Sequence, residues 1–96
     1  MQVLALRVDV HIPAAGSLKA KRQVVKSVVD AARHRYGVAS AEVDHQELWQ
    51  RASFGFAAVG GSVDHVSDVI DEVERFVWSH PEVEVTEVER TWLEPD

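Results

Sequence analysis

The hydrophobic period changes along this chain in a sequence that few folds accommodate. From Leu4 to Ile12 every even position is apolar (Leu4, Leu6, Val8, Val10, Ile12), while Arg7, Asp9 and His11 take odd ones. That period of two marks a strand with one buried face. Pro13 and Gly16 stop it, and Ser17 is placed to cap a helix whose Val25, Val28, Val29, Ala32 and Tyr36 form one core-facing stripe. Gly37 supplies the C-terminal stop. Alternation returns at Ala39, Ala41 and Val43, is interrupted by a polar connector from Asp44 to Gln50, and resumes at Ala52, Phe54, Phe56 and Ala58. Gly60, Gly61 and Ser62 then open a second helix with the stripe Val66, Val69, Ile70, Val73 and Val77, ended by His80-Pro81. In the last segment Val83 and Val85 share one parity and Val88 and Trp92 the other, which a bulge near Thr86 reconciles.

The predicted order is β-α-β-β-α-β, an α+β ferredoxin-like arrangement. Right-handed crossovers place two antiparallel helices on one face of a four-stranded antiparallel sheet of order 4-1-3-2. Residues 1–96 read as a single domain, with no linker, repeat or low-complexity stretch. A chain of 96 residues buries roughly two thirds of its unfolded surface, enough to fold without a staple. The absence of cysteine fits a reducing compartment and excludes disulfides, thiolate metal sites and cysteine nucleophiles. The longest charge-free stretch, residues 52–63, is short of the about 20 apolar residues that span a bilayer. A cytoplasmic protein with no membrane partner is expected.

Charge is distributed unevenly. Between Ser17 and Gly37 stand Lys19, Lys21, Arg22, Lys26, Arg33 and Arg35 against Asp30 alone, a net of +5, while the rest of the chain carries −11. One explanation is internal: the second helix bears Asp64, Asp68, Asp71, Glu72 and Glu74 against Arg75, so an acidic helix beside a basic one neutralises it. Another concerns the helix start. Lys19, Lys21 and Arg22 sit at the positive end of the macrodipole, where cations are disfavoured by about 0.3–1 kcal/mol each. With the Ser17 hydroxyl, free backbone N–H groups and Lys26 one turn on, they form a candidate seat for an anion or for RNA phosphate.

The connector is richer than a turn requires. His45, Gln46, Trp49, Gln50 and Arg51 offer a stacking plane, paired donors and acceptors, and a bidentate guanidinium, a composition suited to single-stranded RNA or to a protein hot spot. Catalysis has less behind it. Glu42, Asp44, His45 and Glu47 alternate faces, no second histidine is spaced to join them, and GxSxG and glycine-rich dinucleotide motifs are missing. No catalytic residue, metal or cofactor is expected. On the uncovered sheet face the central strands present Val3, Ala5, Gly55, Ala57 and Val59 at one end and charged residues at the other. RNA-recognition domains of this topology carry aromatics there. Small residues instead favour close approach of a protein, including a second copy.

The segment from Ser17 to Arg22 after a His-Ile-Pro strand end, the stretch from Ala41 to Ala52, and His80-Pro81-Glu82-Val83 resemble the YlxP-like family over nearly the whole chain. These are small bacterial proteins whose defining domain has no assigned function. The resemblance implies a ferredoxin-like fold, a bacterial cytoplasmic source and, because family genes lie among those for translation factors, a role near the ribosome or RNA. Two functions follow as expectations. One is a non-enzymatic, translation-associated binding protein using the basic helix start and the connector. The other is a homo-oligomeric interaction module using the open sheet face, with no nucleic-acid role.

Overall fold

The computed structural model of this protein describes residues 1–93; Glu94 and Asp96 lie outside them. Its elements are β1 (Gln2–His11), α1 (Leu18–Tyr36), β2 (Ala39–Asp44), β3 (Arg51–Gly60), α2 (Val63–Ser79) and β4 (Glu84–Leu93). The strands make one antiparallel sheet of order β2-β3-β1-β4, the expected order read from the other edge. Both helices cover the same face, α1 above β2 and α2 above β1 and β3, and the opposite face is open.

Local signals act where the sequence places them. The Ser17 hydroxyl accepts from the Ala20 N–H at 3.1 Å, and Gly37 ends α1 at φ 66°, its N–H donating to the Arg33 carbonyl. Ser62 caps α2 in the same manner through the His65 N–H. β1 is the axis of the sheet, in register with β3 along its whole length and with β4 on its other side. The pairing runs Asp9↔Glu87 and then Val10↔Val85, so the extra residue is Thr86, as the parity change requires. The Thr86 hydroxyl donates to the Asp9 carbonyl at 3.1 Å. Even-numbered β1 side chains and Phe54 and Phe56 of β3 pack under Val66, Ile70, Val73 and Val77 of α2. Each such side chain contributes about 1.5–3 kcal/mol on burial, so apolar packing and not the charge pattern sets the fold.

Three sequence expectations change. The buried stripe of α1 is Lys21, Val24, Val28, Val29 and Ala32, with Val25 and Tyr36 only partly covered. On β2 the apolar residues Ala39, Ala41 and Val43 are exposed, and it is Ser40 and Glu42 that turn toward the helices. Thirdly, the acidic helix does not neutralise the basic one. Among the described residues, no ion pair joins α1 to α2. Asp71 and Glu74 instead hold Arg90 of β4 at 2.9 and 3.0 Å, while Lys26 and Arg33 pair with Asp30 on their own helix. The helices meet through Tyr36 and Phe76, ring centroids 5.9 Å apart, with the Arg35 guanidinium over both rings.

Gly55 has an internal reason. Val43 is the extra residue where the β2–β3 pairing steps from Glu42↔Phe54 to Asp44↔Ser53, and its side chain lies over Gly55. A Cβ on Gly55 would stand 2.7 Å from Val43 Cγ1. Gly55→Ala is expected to lower the free energy of unfolding by about 1–3 kcal/mol, and adding Val43→Ala to restore most of it, as measured by urea denaturation.

Candidate functional site

Two surfaces hold the candidate residues: the junction of the α1 start with the connector between β2 and β3, and the open face of the sheet. The junction is built around a buried lysine. Lys21 lies on the inward stripe of α1, one turn before Val24 and two before Val28, and its side chain is 1% exposed. An ammonium removed from water in this way needs compensation. Glu42 supplies a carboxylate oxygen 2.8 Å from Lys21 Nζ. The contact is electrostatic more than directional, since Glu42 Oε2 is buried with no aligned hydrogen-bond donor. The directional bond is the second one, from Lys21 Nζ to the carbonyl oxygen of His45 at 2.5 Å.

His45 can offer that carbonyl because its backbone is left-handed, at φ 63°. The Asp44 carboxylate accepts from the His45 N–H at 2.8 Å, which holds the kink, and the same His45 carbonyl accepts from the Leu48 N–H. The other end of the connector is tied to the loop before α1. The Ile12 N–H donates to the Gln50 carbonyl at 2.8 Å, and the Gln50 amide donates to the carbonyls of Pro13 and Ala15. Connector and helix start therefore form one body.

The expected site residues divide accordingly. Ser17, Lys21 and Gln50 are structural: the Ser17 hydroxyl caps α1, Lys21 is buried and paired, and Gln50 staples two loops. An anion seat that includes Lys21 does not exist, because its ammonium points into the protein. His45 contributes its backbone inward, and its ring lies 3.5 Å from Arg51. Exposed on the outside are Lys19, Arg22 and Lys26 on α1, Gln46 and Trp49 on the connector and Arg51 at the start of β3, with Trp49 53% exposed. Lys26 is bonded to Asp30 at 2.6 Å, whereas among the described residues no carboxylate pairs with Lys19 or Arg22. Arg33, on the same side of α1, donates to the Ser40 carbonyl of β2, so the basic stripe runs along the β2 edge. Asp71 and Glu74 of α2 are held instead by Arg90 of β4, the opposite edge strand.

Sequence reasoning missed the pairing role of Lys21. The signal was available in part, since Lys21, Val24, Val28 and Ala32 keep helical spacing and place the lysine inward. Its partner Glu42 was not legible, because only the sheet order brings β2 beneath α1.

On the open face, Arg7 of β1 is the centre of a second cluster. It donates to Asp9 at 3.1 Å, to Asp44 at 3.3 Å and to the Ser53 hydroxyl at 3.3 Å. Burial pulls the Asp9 carboxyl upward, but the Ser53 hydroxyl and the Arg7 guanidinium outweigh it and hold it below the usual carboxylate range. Asp44 is held down by the His45 backbone N–H and then by Arg7. Beside this cluster lies a shallow trough of about 570 Å³, walled by Ala5, Ala41, Gly55 and Ala57 with Arg7 and Glu89 at its charged end. Among the described residues, no three histidine or acidic side chains are grouped to hold a metal ion, and no helix is long and apolar enough to cross a membrane.

Comparison with known proteins finds a family model described as protein of unknown function (DUF503), matched over residues 3–90. The chain is also 38% identical over 79 residues to the uncharacterized protein YlxP of Bacillus subtilis (strain 168), an alignment covering 82% of this chain and 86% of that relative. The family match spans both candidate surfaces.

Removing one member of a buried pair leaves the other charge uncompensated. Glu42→Ala is therefore expected to destabilise by about 3–5 kcal/mol in chemical denaturation, while the double variant Lys21→Met with Glu42→Leu recovers most of the loss. Acid tests the second cluster. Asp9 and Asp44 have folded values below their unfolded ones, so the stability they contribute is full above the carboxylate range and is lost as pH falls through the folded values, from about pH 4 downward. In Arg7→Gln, both carboxyls are expected to titrate at higher pH by NMR and the acid loss of stability to shrink.

Proposed function

We propose a function for a chain that belongs to the family described as protein of unknown function (DUF503): it is a non-enzymatic binding protein that takes RNA on the exposed side of α1 and the adjoining connector. The observation that carries this reading is the segregation of charge. The cations of α1 make no ion pair with the acidic helix; Lys19 and Arg22 have no carboxylate partner among the described residues, and the connector that carries the exposed Trp49 is tied to the start of α1 through Lys21 and Gln50. Cations that follow a backbone and an aromatic plane that stacks a base are the two elements of single-strand recognition. The remaining acids support the reading too. With a net charge of −6, the protein repels a polyanion from most directions and admits it at the β2 edge, which orients the complex. The family resemblance implies a role near the ribosome or RNA, with translation as the setting.

Three phosphate contacts give a salt dependence whose logarithmic slope is about −2 for a single strand. The variant Lys19→Gln, Arg22→Gln, Lys26→Gln changes only exposed side chains. It is expected to keep its circular dichroism spectrum and to lose both co-sedimentation with ribosomes at low salt and the salt slope. Co-sedimentation equal to that of the native protein rejects the proposal. Trp49→Ala is expected to weaken binding by about 1–3 kcal/mol if a base stacks there, read as RNA affinity at constant salt.

A further inference from the structure

The open sheet face has a relief that complements itself. Cross-strand pairing aligns Val59 of β3, Val3 of β1 and Leu93 of β4 in one row, and Val59 and Leu93 are 64% and 50% exposed. The next row along the strands is Ala39, Ala57, Ala5 and Thr91, and the third is Ala41, Gly55, Arg7 and Glu89. A ridge of branched apolar side chains thus stands beside a trough of about 570 Å³ floored by alanine and glycine, with Arg7 and Glu89 lining its far end. The ridge and the alanine row beside it carry no charge; the charged residues of this face begin in the third row with Arg7 and Glu89 and continue with Asp9 and Glu87.

We propose that this face is the interface of a homodimer. A twofold axis lying across the strands, between ridge and trough, turns the second copy over and reverses its strands. Each ridge then enters the other copy's trough, the isologous contact that a twofold demands. The same operation carries the two charged ends of the face outward in opposite directions, where they form a polar rim around an apolar centre. No residue of the α1 and connector surface takes part, since the helices are on the other side of the sheet.

The area sets the strength. Four strands about 4.8 Å apart and about six residues of about 3.3 Å give roughly 400 Å² of projected face per copy, on the order of 1,000 Å² of accessible surface for the pair once side-chain relief is counted. That is the lower limit for specific association, so the dimer is reversible and dilution dissolves it.

Sedimentation equilibrium of the full chain over a range of concentrations tests this. The native protein is expected to approach twice the chain mass as concentration rises. Ala57→Glu places a charge in the trough and Val59→Lys one on the ridge; each is expected to weaken dimerisation at least about tenfold with an unchanged circular dichroism spectrum. Should Ala57→Glu fail to fold, Val59→Lys decides, because that side chain is already in solvent. The Lys19, Arg22, Lys26 triple variant is expected to dimerise as the native protein does, so RNA binding and self-association fail separately. A native protein that stays monomeric at the highest concentration, one that grows beyond two copies, or a dimer that both single variants leave intact overturns the proposal.

Discussion

A buried ammonium organises the half of this molecule that differs from a plain split βαβ domain. Lys21 is sealed between α1 and β2, where its one anionic partner among the described residues is Glu42 and its aligned acceptor is the His45 carbonyl. Much follows from satisfying it. Glu42 must turn toward the helix and not into water, which accounts for the reversed polarity of β2. The chain must then present a carbonyl from the first residue after the strand, which requires the left-handed backbone at His45 and the Asp44 side chain that holds it. The extra residue at Val43 falls in the same few positions, and its side chain is the reason that Gly55 cannot carry a Cβ without displacement. A lysine that looks like a surface cation is thus the element that fixes the connector against the helix.

The charge pattern has a related explanation. Basic α1 and acidic α2 lie side by side, yet among the described residues no ion pair joins them, and an aromatic contact roofed by Arg35 does. α2 directs Asp71 and Glu74 to Arg90, which lies on the far edge strand. The outcome is a molecule with a basic edge along β2 and an acidic edge along β4. Exposed ion pairs contribute little to stability. A segregated field, by contrast, acts over about a Debye length and selects the direction from which an anionic partner approaches. The open sheet face lies on the other side of the molecule, where apolar relief takes the place of charge.

Much of the architecture was legible in the residues. The periods of β1, β3 and α2, the caps at Ser17, Gly37 and Ser62, and the bulge at Thr86 are local patterns, and each corresponds to a local geometric cause. The readings that changed depend on which surfaces meet. Val25 and Tyr36 fit the α1 stripe by spacing, but the helix is rotated so that Lys21 and Val24 also point inward. Candidate site residues were identified by type and not by orientation. For that reason Ser17, Lys21 and Gln50, chosen for their polar groups, turned out to spend those groups inside the protein, while Lys19, Arg22 and Trp49 kept theirs outside.

The sequence by itself determined the order of elements, their ends and the location of the apolar core, because hydrophobic periodicity, capping and backbone preference act within a few residues. It also determined that positive charge gathers on one helix. Tertiary structure alone decided which of those charges are buried, which face each other and which meet solvent. The physical reason is that the fate of a polar group is settled by its desolvation and its partners, and the partners of Lys21 lie 21 and 24 residues away in the chain, on a strand and a connector that only the sheet order brings beneath the helix.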